Sequence, residues 1–303
     1  MSHPIEYNGE KLTAWKTSLH GHTTVSDGWQ TPAEIIDRYV AGGYDAVNFS
    51  DHRKTNPVST YDGKGLTLIS GIELHPDGPR GILWHLLAVN VPEDFPGIYP
   101  TAEAAIQAVH KAGGLVYIAH PYWCGLTVEE LKPIAGLPGV VGCEICNTSC
   151  NIIGKDDSSV IIDALLDFDY KLNIIAVDDG HTPREYCRNW TCIIAGDKSR
   201  ESLAQALQAG RAYASQGPEF YKISFRNGVF EAEFSPCTEA ILIGERGSGR
   251  NLAPELDMYG DKTITSFRLD CSNIRWKKYV RCRIRDTRGR FAWSNPFWLG
   301  GEN

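Results

Sequence analysis

Short apolar runs alternate with segments of helical spacing over the first part of the chain. The runs at residues 46–49 and 173–177 have the length and the β-branched content of strands buried on both faces. Each run stops at polar residues, which marks the end of the strand. A first strand ends at His20, and further strands are predicted at residues 46–49, 66–72, 83–89, 115–119, 140–145, 173–177 and 191–195.

Helices are predicted between these strands. Thr31-Pro32-Ala33-Glu34 places an N-cap threonine three residues before a glutamate, with proline at the first helical position. Thr127 and Glu130 repeat the capping-box spacing at the start of a later helix. The first signal begins a helix at residues 33–40, and the second begins a short helix after Thr127. Further helices are predicted at residues 101–112, 160–168 and 200–209.

The alternation indicates βαβ units and a largely parallel sheet. About seven such strands approach the eight of a closed βα barrel, and an open doubly wound sheet is the alternative. Polar residues follow at least five of the strands, which a barrel explains better because its strand ends all converge. We therefore predict an α/β barrel.

The pattern changes after residues 215–218. Asn227-Gly228 separates two alternating runs at 221–225 and 229–234, a strong hairpin signal. Residues 218–303 are therefore predicted to form a small antiparallel β domain, and residues 1–217 the first domain.

Bulk composition restricts the classes of partner. The 303 residues carry a net charge of −7, with 42% hydrophobic and 22% charged residues, as in an ordinary globular protein. This charge argues against duplex nucleic acid as a partner, because binding to phosphates needs a basic surface. No apolar stretch approaches the ~20 residues of a membrane-spanning helix, so no membrane partner is expected.

The cysteines indicate a reducing compartment. Nine of them, an odd number, are spread irregularly, which favours free thiols and a cytoplasmic location. Cys143, Cys146 and Cys150 have the close spacing of a zinc knuckle, but the second cysteine pair of such a site does not follow. A thiolate metal site is therefore disfavoured.

Histidines and carboxylates gather at the predicted strand ends. Of the nine histidines, only His3, His75 and His110 lie elsewhere. Imidazole and carboxylate together suit Zn, Mn and Fe, and so many donors favour two or three divalent ions that share bridging carboxylates. The candidates are His20, His22, Asp27, Asp51, His52, Glu73, His85, His120, Glu144, Asp179 and His181.

Several of these residues stand in recognisable motifs. The motifs are His-x-His-Thr-x-x-Ser-Asp-Gly at 20–28, Ser-Asp-His at 50–52, Gly-x-Glu at 71–73, Ala-His-Pro at 119–121 and Asp-x-His at 179–181. As a group they resemble the PHP family (polymerase and histidinol phosphatase) over roughly residues 12–217. The resemblance implies a distorted (β/α)7 barrel with up to three divalent ions at the carboxyl ends of its strands.

The resemblance also implies the ligands of each ion. The implied groups are His20, His22, Glu73 and Asp179 for one ion, Asp27, His52 and His181 for another, and Glu73, His85 and His120 for a third. Asp27 stands where some members of the family have histidine. Asp178 takes the place of a serine, and we expect it to orient a ligand by a hydrogen bond. Glu144 is either a ligand or, more in keeping with the family, a partner of one.

Two further segments resemble one branch of the family. Residues 206–218 and 285–298 are similar to PHP metallohydrolases related to carbaryl hydrolase, which join the barrel to a C-terminal β domain. That branch includes phosphoesterases and carbamate or ester hydrolases.

Together these features predict a multinuclear metal-dependent phosphoesterase acting on a small phosphorylated metabolite or nucleotide. A hydroxide bridging two ions is the expected nucleophile, and Arg53 and Arg184 are the expected cations for the phosphate group. A carboxyl-ester or carbamate hydrolase with the same ions, and a non-catalytic metal-binding module, are the alternatives. The sequence leaves the substrate, the native metal and the oligomeric state open.

Overall fold

The structure is a computed structural model that describes residues 2–252, 262–272 and 277–299. Within these ranges the helices are Pro32–Ala41 (α1), Ala102–Lys111 (α2), Pro121–Cys124 (α3), Val128–Ala135 (α4), Ser159–Asp167 (α5) and Arg200–Gln208 (α6). None of the helices described there is long and apolar enough to cross a membrane.

The strands fall into two series in the same ranges. The first series is His3–Tyr7 (β1), Glu10–Ser18 (β2), Ala46–Phe49 (β3), Thr67–Leu74 (β4), Leu86–Val89 (β5), Leu115–Ile118 (β6), Val140–Asn147 (β7), Asn173–Val177 (β8), Trp190–Ala195 (β9) and Ala212–Ser215 (β10). The second series is Phe220–Arg226 (β11), Val229–Cys237 (β12), Glu239–Gly244 (β13), Gly249–Asn251 (β14), Ile264–Asp270 (β15), Tyr279–Arg285 (β16), Phe291–Ser294 (β17) and Phe297–Trp298 (β18).

Helices α1 and α4 begin at their predicted caps. The Glu34 N–H donates to Thr31 Oγ1 at 3.3 Å, and the Thr31 N–H donates back to the Glu34 carboxylate at 2.8 Å. The same reciprocal pair joins Thr127 and Glu130. Both capping boxes are confirmed, because each threonine satisfies a backbone donor that the first helical turn leaves free.

Strand pairing confirms a mixed α/β architecture but not a closed (β/α)7 barrel. Strands β2, β3 and β4 are parallel, as are β6, β7 and β8, whereas β5 runs antiparallel to both of its neighbours. Strand β2 pairs on its other edge with β9, also antiparallel. In the described ranges the ladders pair β8 with β7, and β9 with β2 and β10, but not β8 with β9. The Thr191 hydroxyl spans that gap, donating to the Ala176 carbonyl and accepting from the Ala176 N–H.

The C-terminal part is antiparallel, as predicted. Strands β11 and β12 form the expected hairpin, and Asn227 and Gly228 both have positive φ, which a two-residue turn of this type requires. The division at residues 217 and 218 stays a prediction. Strand ladders cross it, since β1 pairs with β11 and β10 with β17.

Candidate metal centre

The carboxyl ends of the parallel strands carry the polar residues. The motif residues follow β2, β3, β6 and β8, while Glu73 lies within β4 next to its end. Two isolated parallel bridges, Gly21 with Gly180 and His52 with Glu73, hold these ends together. Strands that run in the same direction therefore bring donors that are far apart in sequence to one place.

Glu73 lies at the centre of the cluster and is fully buried. Its Oε1 faces two imidazole nitrogens and its Oε2 faces four, all at 2.8–3.6 Å; they belong to His85 and His120, and to His20, His22, His52 and His75. Glu73 Oε2 nevertheless accepts no well-formed hydrogen bond in the described part of the chain. A buried carboxylate oxygen without a hydrogen bond, surrounded by lone-pair nitrogens, fits a bound cation.

The tightest donor group contains His20, His22, Asp179 and Glu73. His22 Nε2 lies 3.2 Å from His20 Nε2 and 2.8 Å from Asp179 Oδ1, and His20 Nε2 lies 3.3 Å from the same oxygen. Glu73 Oε2 is 3.5 and 3.6 Å from the two histidine nitrogens. Two ligands about 2.1 Å from one ion lie roughly 3.0–3.4 Å apart for octahedral to tetrahedral angles. The spacings here, from 2.8 to 3.6 Å, lie around that range and are compatible with a divalent ion after small side-chain shifts.

A second donor group shares Glu73. Its Oε1 lies 2.8 Å from His85 Nδ1 and 3.3 Å from His120 Nε2. The Trp123 ring packs edge-on against both imidazoles, with centroids 5.5 and 5.2 Å away, and so walls this side of the cluster. Cys124 Sγ lies 3.5 Å from His120 Nδ1, a contact that the sequence motifs do not reveal.

A third, more open group contains Asp27, His52 and His181. His52 Nε2 lies 3.5 Å from one oxygen of Asp27, and His181 Nε2 lies 3.8 Å from the other. The Asp27 side chain is 57% exposed, which makes this the most solvent-accessible of the three groups. The structure thus brings the side chains of all nine residues predicted as metal ligands into one cluster of overlapping donor groups, and their assignment to three separate ions stays a prediction.

The charges of the cluster are strongly coupled. Burial alone would lower the pKa of His20, but the carboxylates of Asp179, Glu144 and Glu73 outweigh it and hold that pKa well above its usual value. Burial would raise the pKa of Glu73, yet the surrounding histidines bring it well below its usual range. Burial lowers the pKa of His22 to about 4, despite its hydrogen bond to Asp179. His22 is thus a neutral imidazole, the form that binds metals.

Glu144 bonds to two candidate ligands, His20 and His120, on the side away from the donor groups. Its Oε1 lies 2.6 Å from His20 Nδ1, and its Oε2 accepts from the His120 N–H and the Asn147 side-chain amide, both at 2.9 Å. A carboxylate on Nδ1 directs His20 Nε2 towards the first donor group. The structure therefore places Glu144 as a partner of ligands.

Two other carboxylates order the loops. Asp51 accepts from the backbone N–H groups of Thr23 and Ser26, on the loop that carries Asp27. Asp178 does not contact a candidate ligand through any described hydrogen bond, contrary to the expectation that it orients one. Burial raises its pKa to about 6, against opposing backbone hydrogen bonds. Its oxygens accept from the Tyr39 hydroxyl and from the backbone N–H groups of Cys187, Arg188 and Asn189.

The two predicted cations lie outside the donor groups. Arg53 is exposed, and its guanidinium lies 3.5 Å from the His75 carbonyl oxygen, while its backbone N–H donates to the Glu73 carbonyl at 2.9 Å. Arg184 is also exposed and lines a neighbouring cavity of about 930 Å³. Trp29 lines the same cavity, and its backbone N–H donates to the carbonyl of His181, a candidate ligand, at 2.8 Å. In the described ranges no hydrogen bond or ion pair joins either guanidinium to a candidate ligand.

His75 is the residue that sequence reasoning missed. It follows Glu73 by two positions and reaches the same side of the cluster, with Nε2 3.5 Å from Glu73 Oε2. The two-residue spacing at a strand end is a signal, since alternate residues of a strand share a face. The three clustered cysteines, in contrast, form no metal-ligand group among the described residues.

Comparison with known proteins supports the fold. The chain matches no protein-family model and no curated protein in sequence. Among solved structures it is similar to a two-domain protein from Bacteroides vulgatus containing a predicted PHP-like metal-dependent phosphoesterase, with 16% identity, 95% coverage of both chains and a TM-score of 0.57. It is also similar to an amidohydrolase from Chromobacterium violaceum with bound sulfate, with 17% identity over 56% of this chain and 88% of that one, and a TM-score of 0.45.

The first of these likenesses extends over both parts of the chain. At this level of identity it establishes the fold. The resemblance to the PHP family that the motifs predict is thus confirmed at the level of the fold.

Proposed function

We propose that the chain is a multinuclear metal-dependent hydrolase. The observation that carries the proposal is the buried Glu73 carboxylate, which has six imidazole nitrogens within 3.6 Å and one oxygen without a hydrogen bond. Two or three divalent ions of the Mn, Fe or Zn type are the cofactors that such donors suit. Bound there, the ions would lower the pKa of water and polarise an oxygen of the substrate.

The protein's own residues hold and shield the centre. His20, His22, Asp179 and Glu73 would bind one ion, and Glu73 would share another with His85 and His120. The three buried histidines of this set keep solvent from the inner positions, whereas the Asp27 side faces solvent. A substrate would therefore approach from the Asp27 side.

A small phosphate ester is the substrate class that we propose. Glu73, Asp179, Asp27 and Glu144 bring four carboxylates to the cluster, so three bound divalent ions would leave a net positive centre that attracts a phosphate dianion. Arg53 and Arg184 stand on the loops directly after His52 and His181, at the open side. Both side chains are exposed, and they would contact a bound phosphate only from the solvent-facing edge of the cluster.

One observation favours an ester or carbamate hydrolase as the second candidate. Among the described residues neither guanidinium contacts a donor side chain, so neither supplies a fixed cation for a phosphate group at the inner site. A neutral carbonyl substrate needs no such cation, because the ions alone stabilise the charge that develops on its oxygen.

A panel of substrates tests the proposal. Metal-loaded protein should hydrolyse p-nitrophenyl phosphate faster than p-nitrophenyl acetate. Glu73→Gln should lower the phosphatase rate by roughly 100-fold or more, since metal activation of water supplies several kcal/mol. Glu103→Gln, an exposed change on α2, is the matched control and should be silent. Turnover of the acetate alone would support the second candidate, and no turnover of either would contradict a hydrolase.

A further inference from the structure

His75 stands outside every motif, yet it is packed into the cluster. It follows the end of β4, its side chain is only 7% exposed, and its ring meets the His85 ring edge-on with centroids 4.3 Å apart. A buried imidazole needs a hydrogen-bond partner for its polar atoms. The partner that the structure gives it is another histidine.

His75 Nε2 lies 2.7 Å from His52 Nδ1, at hydrogen-bond distance. His52 Nδ1 is also 2.8 Å from Glu73 Oε2, but that oxygen accepts no well-formed hydrogen bond in the described residues. The geometry therefore pairs the two imidazoles with each other. The second nitrogen of His52, Nε2, faces Asp27 on the open side of the cluster.

The separation of 2.7 Å is that of a hydrogen bond between the two imidazoles. In a pair of neutral rings one nitrogen donates its N–H and the other accepts it. If His52 donates that proton, its Nε2 keeps a lone pair for an ion. If His75 donates it, neutral His52 carries a proton on Nε2 and cannot bind one.

We propose that His75 is a positioning residue, which accepts the Nδ1–H of His52 and thereby keeps His52 Nε2 available to the donor group of Asp27 and His181. A hydrogen-bond acceptor on the far nitrogen of a ligating imidazole fixes its tautomer and increases its basicity. The predicted effect on ion binding rests on the proposed function. The predicted tautomer of His52 rests on the histidine pair alone.

Titration of metal-free protein with Co²⁺ tests the consequence. His75→Leu should weaken the binding of one ion by about 10- to 100-fold, as the loss of such partners does. The affected ion should be the one whose binding His52→Ala also weakens without abolishing it. His75→Gln should restore most of the affinity, because its amide oxygen can accept the same proton. His110→Leu, which changes an exposed histidine on α2, is the matched control.

A double variant separates positioning from a structural role. Once His52 is alanine, His75→Leu should cause no further loss of affinity, since its only effect is through His52. An equal loss in both backgrounds, or none in either, would overturn the inference. If the wild type binds no ion at all, the proposed function fails instead.

The tautomer can be measured without any ion. Long-range ¹H–¹⁵N spectra of the metal-free wild type, at a pH at which His52 is neutral, should show its proton on Nδ1. A proton on Nε2 would overturn the inference whether or not the protein binds metal or the variants fold.

Discussion

At the scale of single residues, one carboxylate organises the candidate centre. Eight of the nine predicted ligands stand in the sequence motifs, whereas His85 lies in no motif and precedes β5. His75, which also lies in no motif, was not predicted, and its one sequence signal is its spacing of two residues from Glu73. The role of Asp178 could not be predicted either. The backbone N–H groups of residues 187–189 reach its carboxylate because of the conformation of the loop, which the sequence pattern does not reveal.

Asp178→Asn tests its observed role. Both oxygens of the buried carboxylate accept backbone N–H groups, and an amide nitrogen in place of one oxygen would face a donor. We expect a loss of roughly 1–3 kcal/mol in the free energy of unfolding, the cost of an unsatisfied buried polar group. Urea denaturation measures it. The number of bound ions should stay the same, and Asp94→Asn, an exposed change, should be neutral. A loss of metal without a loss of stability would contradict this role.

At the scale of elements, local signals predicted helices better than they predicted strand direction. Capping boxes fix the starts of α1 and α4 through contacts over three residues. The direction of β5 could not be predicted, because a four-residue buried run looks the same in a parallel and an antiparallel pair. The missing ladder between β8 and β9 could not be predicted either, because it depends on how strands distant in sequence pack. The Thr191 hydroxyl bonds to the Ala176 backbone there instead.

Thr127→Ala tests the second capping box. The change removes the oxygen that accepts the Glu130 N–H at the start of α4. The free energy of unfolding should fall by about 0.5–2 kcal/mol, as for other N-caps. Thermal denaturation followed by circular dichroism checks this. Thr127→Ser keeps the hydroxyl and should retain most of the stability, and equal losses in both variants would argue against the cap.

At the scale of the whole molecule, a buried ion pair joins the two parts of the chain. Arg281 on β16 is 1% exposed, and its guanidinium contacts both oxygens of Asp163 on α5 at 2.8 and 2.6 Å. Near this pair, the ring of Trp298 on β18 packs against the ring of Tyr279 on β16. The sequence predicted a small C-terminal β domain but not its contacts with the rest of the chain, because contacts of this kind join residues more than a hundred positions apart and leave no local pattern.

The two partners of this pair should respond unequally to substitution. Asp163→Ala leaves a buried guanidinium without its partner and should cost on the order of 3–5 kcal/mol. Arg281→Met replaces the cation with an apolar chain and leaves a carboxylate that is 31% exposed, so it should cost less. Denaturant titration of both variants measures the difference. A larger loss for Arg281→Met would contradict this reasoning.

The metal content of the purified protein tests the central claim most directly. After supplementation with Mn, Fe or Zn and removal of free metal, elemental analysis should give two to three equivalents per chain. Glu73→Gln should lose at least one, because that carboxylate faces the donors of two groups. Less than one equivalent in the wild type, or full occupancy in Glu73→Gln, would contradict the account.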